Sequence, residues 1–117
     1  MNNNLEKYVV SVDGVLEDAV KCIRSNKSRC AIIIDDKYKV LGVISEGDVL
    51  SDILSGRSLY NPIKNSMNIN FKFLKTFSRV KALAIFRKYG VSLIPIVDEN
   101  LILKDIFTIN DLLVDEK

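Results

Sequence analysis

The chain has 117 residues, 48% of them apolar and 27% charged, and its 17 basic and 15 acidic side chains leave a net charge of +2. That composition belongs to a globular domain, long enough to bury about two-thirds of its unfolded surface without a metal or disulfide staple. It contains no histidine, which excludes His-based triads, His-ligated zinc and imidazole general bases.

In chain order, Tyr8 to Ser11 predicts a short strand and Asp13 a helix N-cap. Leu16, Ala19, Val20 and Ile23 recur at helical spacing, so the helix that follows has one apolar face. Cys30 to Ile34 is a continuous apolar run too short for a buried helix, and predicts a strand covered on both faces. Asp35-Asp36-Lys37 is a turn and Val40 to Ile44 a second strand. Ser45 caps a helix whose apolar residues are Val49, Leu50, Ile53 and Leu54, and Gly56 suits the position after its end.

Asn61-Pro62 reads as the N-cap and first helical position of a single turn. A strand is expected around Asn70 to Phe73. Ser78 then caps a helix with Val80, Leu83, Ala84 and the stem of Arg87 on one face, and Gly90 ends it. Leu93 to Val97 and Ile102 to Phe107 are strands about an Asp98-Glu99-Asn100 turn, and Asn110-Asp111-Leu112-Leu113 opens a last short helix. Pro95 implies an edge or an interruption in its strand, because proline cannot donate to a ladder.

The order strand, helix, strand, strand, helix occurs twice. Sliding the chain by 63 positions places Ile34-Asp35-Asp36 on Val97-Asp98-Glu99, and Ser45 and Asp48 on Thr108 and Asp111, with no gap back to Glu17 over Val80. Ala19 falls on Ala82 and Arg24 on Arg87. Two copies of one supersecondary unit follow.

The motifs Leu41-Gly42-Val43-Ile44-Ser45-Glu46-Gly47-Asp48 and Gly90-Val91-Ser92-Leu93-Ile94-Pro95-Ile96-Val97-Asp98, the latter followed by Thr108-Ile109-Asn110-Asp111, resemble those of the CBS domain. That family occurs in tandem as a Bateman module. The resemblance implies an α+β fold of two β-α-β-β-α repeats, residues 1–61 and 62–117, packed as a pseudo-two-fold pair. Ser45-Glu46-Gly47-Asp48, Ser55-Gly56-Arg57 and Asn61-Pro62-Ile63 are similar to CBS pairs attached to sugar nucleotidyltransferases or sugar-phosphate isomerases of polysaccharide biosynthesis. Asp105, standing where the first copy has Gly42, departs from the general pattern but suits that group.

By the same resemblance, two clefts each combine one repeat's hydroxyl and aspartate with the other repeat's strand residues. The first would join Ser45, Gly47 and Asp48 to Val91, Ser92 and Leu93, with Ile69 to Phe71 near a base. The second would join Thr108, Asn110 and Asp111 to Ser28, Arg29 and Cys30, near Tyr8. The implied ligand is an adenine nucleotide (AMP, ADP or ATP), acting as a regulatory ligand and not as a cofactor. Implied too are a homodimer and a fused or separate sugar nucleotidyltransferase as partner. From the residues alone, each hydroxyl–aspartate pair is equally a capping box, and a ligand-free dimerisation scaffold is the competing reading.

Other expectations are absences. No G-x-x-x-x-G-K-[ST], G-x-G-x-x-G or G-x-S-x-G occurs, so the chain is not expected to be an enzyme. Cys22 and Cys30 lack metal-ligand spacing and are expected as reduced core thiols. Scattered lysines give no basic stripe for nucleic acid. Tyr60, Phe71, Phe73, Phe77 and Phe86 are expected in core or interface, not as a stacking platform. With no apolar run near the ~20 residues of a membrane span and no signal-like N-terminus, the expected compartment is the cytoplasm.

Overall fold

Alternation decides the architecture. In the computed structural model, which describes residues 5–115, strand β2 (Cys30–Ile34) is buried along its whole length. Its even-numbered side chains, Cys30, Ile32 and Ile34, pack in one cluster with Leu93, Val97, Leu103 and Ile106 of the second half. Its odd-numbered ones, Ala31 and Ile33, pack in another with Leu16, Ala19 and Ile23 of helix α1 (Leu16–Ser25). Strand β4 (Leu93–Val97) repeats the pattern, with Ile94 and Ile96 turned to Ala82 and Phe86 of helix α3 (Arg79–Tyr89). Each fully buried isoleucine or leucine contributes about 1.5–3 kcal/mol over an exposed one, so this two-sided burial is the main source of stability. The fold class is α+β, as the resemblance implied.

β2 pairs parallel with β1 (Val9–Ser11) and antiparallel with β3 (Val40–Ser45). In the second half β4 pairs antiparallel with β5 (Leu103–Thr108). Helices α2 (Glu46–Leu54) and α4 (Ile109–Asp115) follow β3 and β5. The 63-residue offset persists down to single hydrogen bonds. Asp35 Oδ1 accepts from the amides of Lys37 and Lys39, and Asp98 Oδ1 from those of Asn100 and Ile102. These two donors hold the Asp35 carboxyl below its ordinary pKa, Lys39 being the stronger. Tyr38 and Leu101 both sit at positive φ, 64° and 65°. The halves meet there reciprocally: the Val40 amide donates to Leu101 O at 2.9 Å and the Leu103 amide to Tyr38 O at 2.8 Å.

Several expectations are corrected. The segment Asn70 to Phe73 is not a strand; only Leu74 makes a single parallel bridge, to Ile96. The reason is Pro95, which stands where Ile32 stands in the first half. A parallel ladder on that side of β4 would need its missing N–H, so the proline interrupts the sheet as its chemistry required. The cap of α1 is Val15, not Asp13: the Val15 amide donates to Asp18 Oδ2 at 2.8 Å, while the Asp13 amide turns to Ser11 Oγ. α3 buries Ala82 and Phe86 and leaves Val80 81% exposed. These are the counterparts of Ala19 and Ile23, so the repeat, not the local apolar pattern, picks the right face. Asn61-Pro62 leads into a 3-10 turn, Ile63–Asn65, with Pro62 itself in the cap position.

The chain beyond residue 61 stays against the first half. Ile63 is fully buried with Leu16 and Ile44, and the amides of Leu16 and Glu17 donate to the carbonyls of Asn61 and Leu59. At residues 67–68 it crosses β3, where the amide and carbonyl of Val43 both bond Asn68. Gly42 makes this crossing possible. A Cβ there would lie 2.9 Å from Met67 Cγ and Sδ and 3.0 Å from Asn68 O. The second half carries Asp105 at that place, and its carboxylate accepts from the Ile106 amide at 2.8 Å.

Gly42→Ala should therefore destabilise the fold by about 1–3 kcal/mol, the usual range for an overpacked site. Urea denaturation checks this, and an unchanged midpoint would mean that the crossing yields easily.

Candidate functional site

Where the two halves meet, strand ends and helix starts leave a cleft of about 380 Å³. One wall comes from the first half. Ser45 ends β3 in extended conformation, φ −104° and ψ 167°, and caps α2. Its Oγ accepts from the Asp48 amide at 3.1 Å, and Asp48 Oδ2 accepts from the Ser45 amide at 2.9 Å. The capping box is thus complete, and the same box recurs at Thr108 and Asp111, with bonds of 3.2 and 2.8 Å. Capping uses one oxygen of Asp48. Its Oδ1 accepts no hydrogen bond from the described residues, and Asp48 lines the cleft.

The opposite wall comes from the second half. α3 ends at Gly90, whose φ of 67° is a left-handed conformation that glycine adopts freely. The reversal sends Val91, Ser92 and Leu93 along the cleft. Ser92 also fastens the halves together, its hydroxyl donating to Ser28 O, while within its own half its carbonyl accepts from the Ile109 amide. In the counterpart contact the Glu46 amide donates to Arg29 O at 3.0 Å. Asn26, buried, holds the other side of this seam by donating to Cys30 O and accepting from the amides of Ser28 and Arg29.

Of the residues expected in the first cleft, Ser45, Asp48, Phe71, Val91, Ser92 and Leu93 line it together. Gly47, exposed on the first turn of α2, does not, and neither does Ile69. Cys30, expected in the second cleft, lies in this one. Burial first, then the negative charge of Asp48, push its thiol up to about 12, so it presents a neutral, apolar surface. Ser28, Arg29, Thr108, Asn110 and Asp111 lie outside this cleft, and Tyr8 is buried in the seam beside Leu93 and Ile106. Arg29 has a positive φ of 55° and an exposed 3.9 Å ion pair with Glu46.

Asn70, within the expected stretch Ile69 to Phe71, lines the cleft, while Val43, Asn68, Lys72, Tyr89 and Gly90 are cleft residues that the sequence did not point to. Asn68 and Asn70 sit on the crossing segment that Gly42 admits, a long-range consequence with no local signature. The lining is mixed: an apolar floor of Val43, Phe71, Val91 and Leu93, with one carboxylate, one ammonium and several amides and hydroxyls. Such a surface accepts a flat apolar group carrying polar and anionic substituents.

Comparison with known proteins places this arrangement. Residues 2–55 match the family model of the CBS domain. A CBS domain protein of Pyrobaculum aerophilum, solved with AMP, superposes with a TM-score of 0.77 at 19% identity, over 90% of this chain and 82% of that one. CBSX2, solved with AMP, superposes with a TM-score of 0.79 at 18% identity, over 95% and 88%. Arabinose 5-phosphate isomerase GutQ of Escherichia coli O6:H1 is 32% identical over 69 residues, 58% of this chain and 22% of the isomerase. The chain spans 64%, 22% and 26% of the lengths of the curated relatives that it matches. It has the fold of a CBS-domain pair.

Because both capping boxes satisfy a helix end, Asp48→Asn and Asp111→Asn should each lower stability by about 0.3–1 kcal/mol through the lost charge at a helix N-terminus. Chemical denaturation of each single variant measures this; no loss at Asp48 would show that its charge serves something other than the helix.

Proposed function

We propose that this CBS-domain pair is a regulatory module that binds an adenine nucleotide in the cleft between Ser45–Asp48 and Val91–Leu93. The observation that carries the reading is Asp48, which lines a cleft whose opposite wall belongs to the other repeat and keeps its Oδ1 outside the capping box. An ionised carboxylate accepts from ribose hydroxyls, and the apolar floor suits a purine. AMP in the Pyrobaculum protein and in CBSX2 supports the same ligand class. A ligand that touches both walls prefers one spacing of the repeats, and that preference is what a module of this kind passes on.

The module's target, on this reading, is an enzyme fused to it or bound by it. Its likeness to a sugar-phosphate isomerase supports enzymes of sugar-phosphate and sugar-nucleotide metabolism. The module itself is regulatory, not catalytic. α2 supports a homodimer: Val49 faces the core, while Leu50, Ile53 and Leu54 are 56%, 47% and 88% exposed, an apolar stripe that a second copy would cover. The free thiols Cys22 and Cys30 fit the reducing cytoplasm.

AMP, ADP or ATP should raise the melting temperature. At about 100 times its dissociation constant, a ligand that binds only the folded state adds roughly 2.7 kcal/mol. Asp48→Asn should weaken binding about ten- to hundredfold, the worth of a hydrogen bond to a charged group. Silence from all three nucleotides in calorimetry at millimolar concentration would favour the ligand-free scaffold. Sedimentation should give a dimer at micromolar concentration, and a monomer there would remove the proposed role of the α2 stripe.

A further inference from the structure

Outside the two capping boxes, the cleft holds one feature that they do not explain. Lys72 is the single cation among its lining residues, as Asp48 is the single anion. It has no carboxylate partner, since the ion pairs among the described residues are Arg29–Glu46 and Arg57–Asp52. Its ammonium instead rests over the ring of Tyr89, 4.3 Å from the centroid, with the Lys88 ammonium 5.3 Å from the same ring. Tyr89 is the last residue of α3 and also lines the cleft.

We infer that Lys72 is the phosphate-binding residue of this cleft, held on Tyr89 until an anion arrives, so that the site selects phosphorylated ligands over the bare nucleoside. The inference rests on the nucleotide reading above and adds to it a named cation. Three physical points carry it. Lysine is a point charge on a flexible four-carbon stem, able to move between neighbouring partners. A cation–π contact at an exposed site is weaker than a charge-assisted hydrogen bond, so a phosphate entering the cleft outcompetes the ring. The positive charge of Lys88 on that ring and of Lys72 itself repel each other, which further favours release of Lys72 to an anion.

Tyr89 is then the positioning residue. Its ring keeps the ammonium at the cleft wall when no ligand is present, and the C-terminal end of α3 adds attraction for cations there.

The test is calorimetry with adenosine, AMP and ATP on the wild-type chain and on Lys72→Gln, Lys72→Arg and Lys88→Gln. Lys72→Gln should weaken AMP roughly ten- to hundredfold and leave adenosine unchanged. Lys72→Arg should recover most of the AMP affinity, and Lys88→Gln should weaken AMP far less than Lys72→Gln does. The wild-type preference for AMP over adenosine should shrink as salt rises. Unchanged AMP binding in Lys72→Gln, or an equal loss for adenosine and AMP, would overturn the assignment of Lys72 while leaving the nucleotide reading standing. Failure of the wild-type chain to bind any of the three would overturn both.

Discussion

Cys30, Ile32 and Ile34 of one half lie against Leu93, Val97, Leu103 and Ile106 of the other, and everything else in the molecule is arranged around that seam. A strand buried on both faces can carry no polar side chain, and its neighbours in sequence must reverse direction in solvent. Hence each half has an apolar strand bounded by polar turns: Asp35 and Asp98 at one end, Ser28-Arg29 and Val91-Ser92 at the other. The seam also fixes where polar chemistry can occur. Helices α2 and α4 begin where β3 and β5 leave the sheet, so both capping boxes fall at the margin of the apolar interface.

This placement explains why a cleft and a helix cap coincide. Ser45 and Asp48 satisfy orphan amides that α2 would otherwise leave exposed, and the same requirement sets the carboxylate beside the opposite half. Ser92 binds the halves through its hydroxyl on Ser28 O, so a ligand against Ser92 touches a residue on which the inter-repeat geometry depends. Structural and functional readings of these residues do not compete. They use different atoms of the same side chains.

Much of this was legible in the sequence because it is local or repeated. The strands Cys30–Ile34 and Leu93–Val97, the caps Ser45 and Ser78 and the terminator Gly90 follow from patterns a few residues long. The expected face of α3, with Val80 and Leu83, is not the buried one; the 63-residue offset carries the right face, because it sets Ala82 over the buried Ala19. What was not legible depended on distant pairings. Nothing near Asn70 announces that Pro95 withholds the amide its strand would need. Asp18 outcompeted Asp13 as the acidic partner at the start of α1 because Val15, not Asp13, leaves its amide free for it. Lys72 and Tyr89 meet across 17 positions of chain, and neither belongs to a motif.

The two halves protect the outer edges of their sheets by different means. In the first, the edge of β3 at Val43 is occupied by the chain itself, through Asn68. In the second, the matching donor, the Ile106 amide, is taken by the adjacent Asp105 carboxylate. A charged side chain folded over an open strand is a strong deterrent to pairing with another molecule. The two copies therefore withhold these edge amides from another strand by different means, one with its own linker and the other with its own charge. Glycine at 42 and aspartate at 105 are the residues that divide the two solutions.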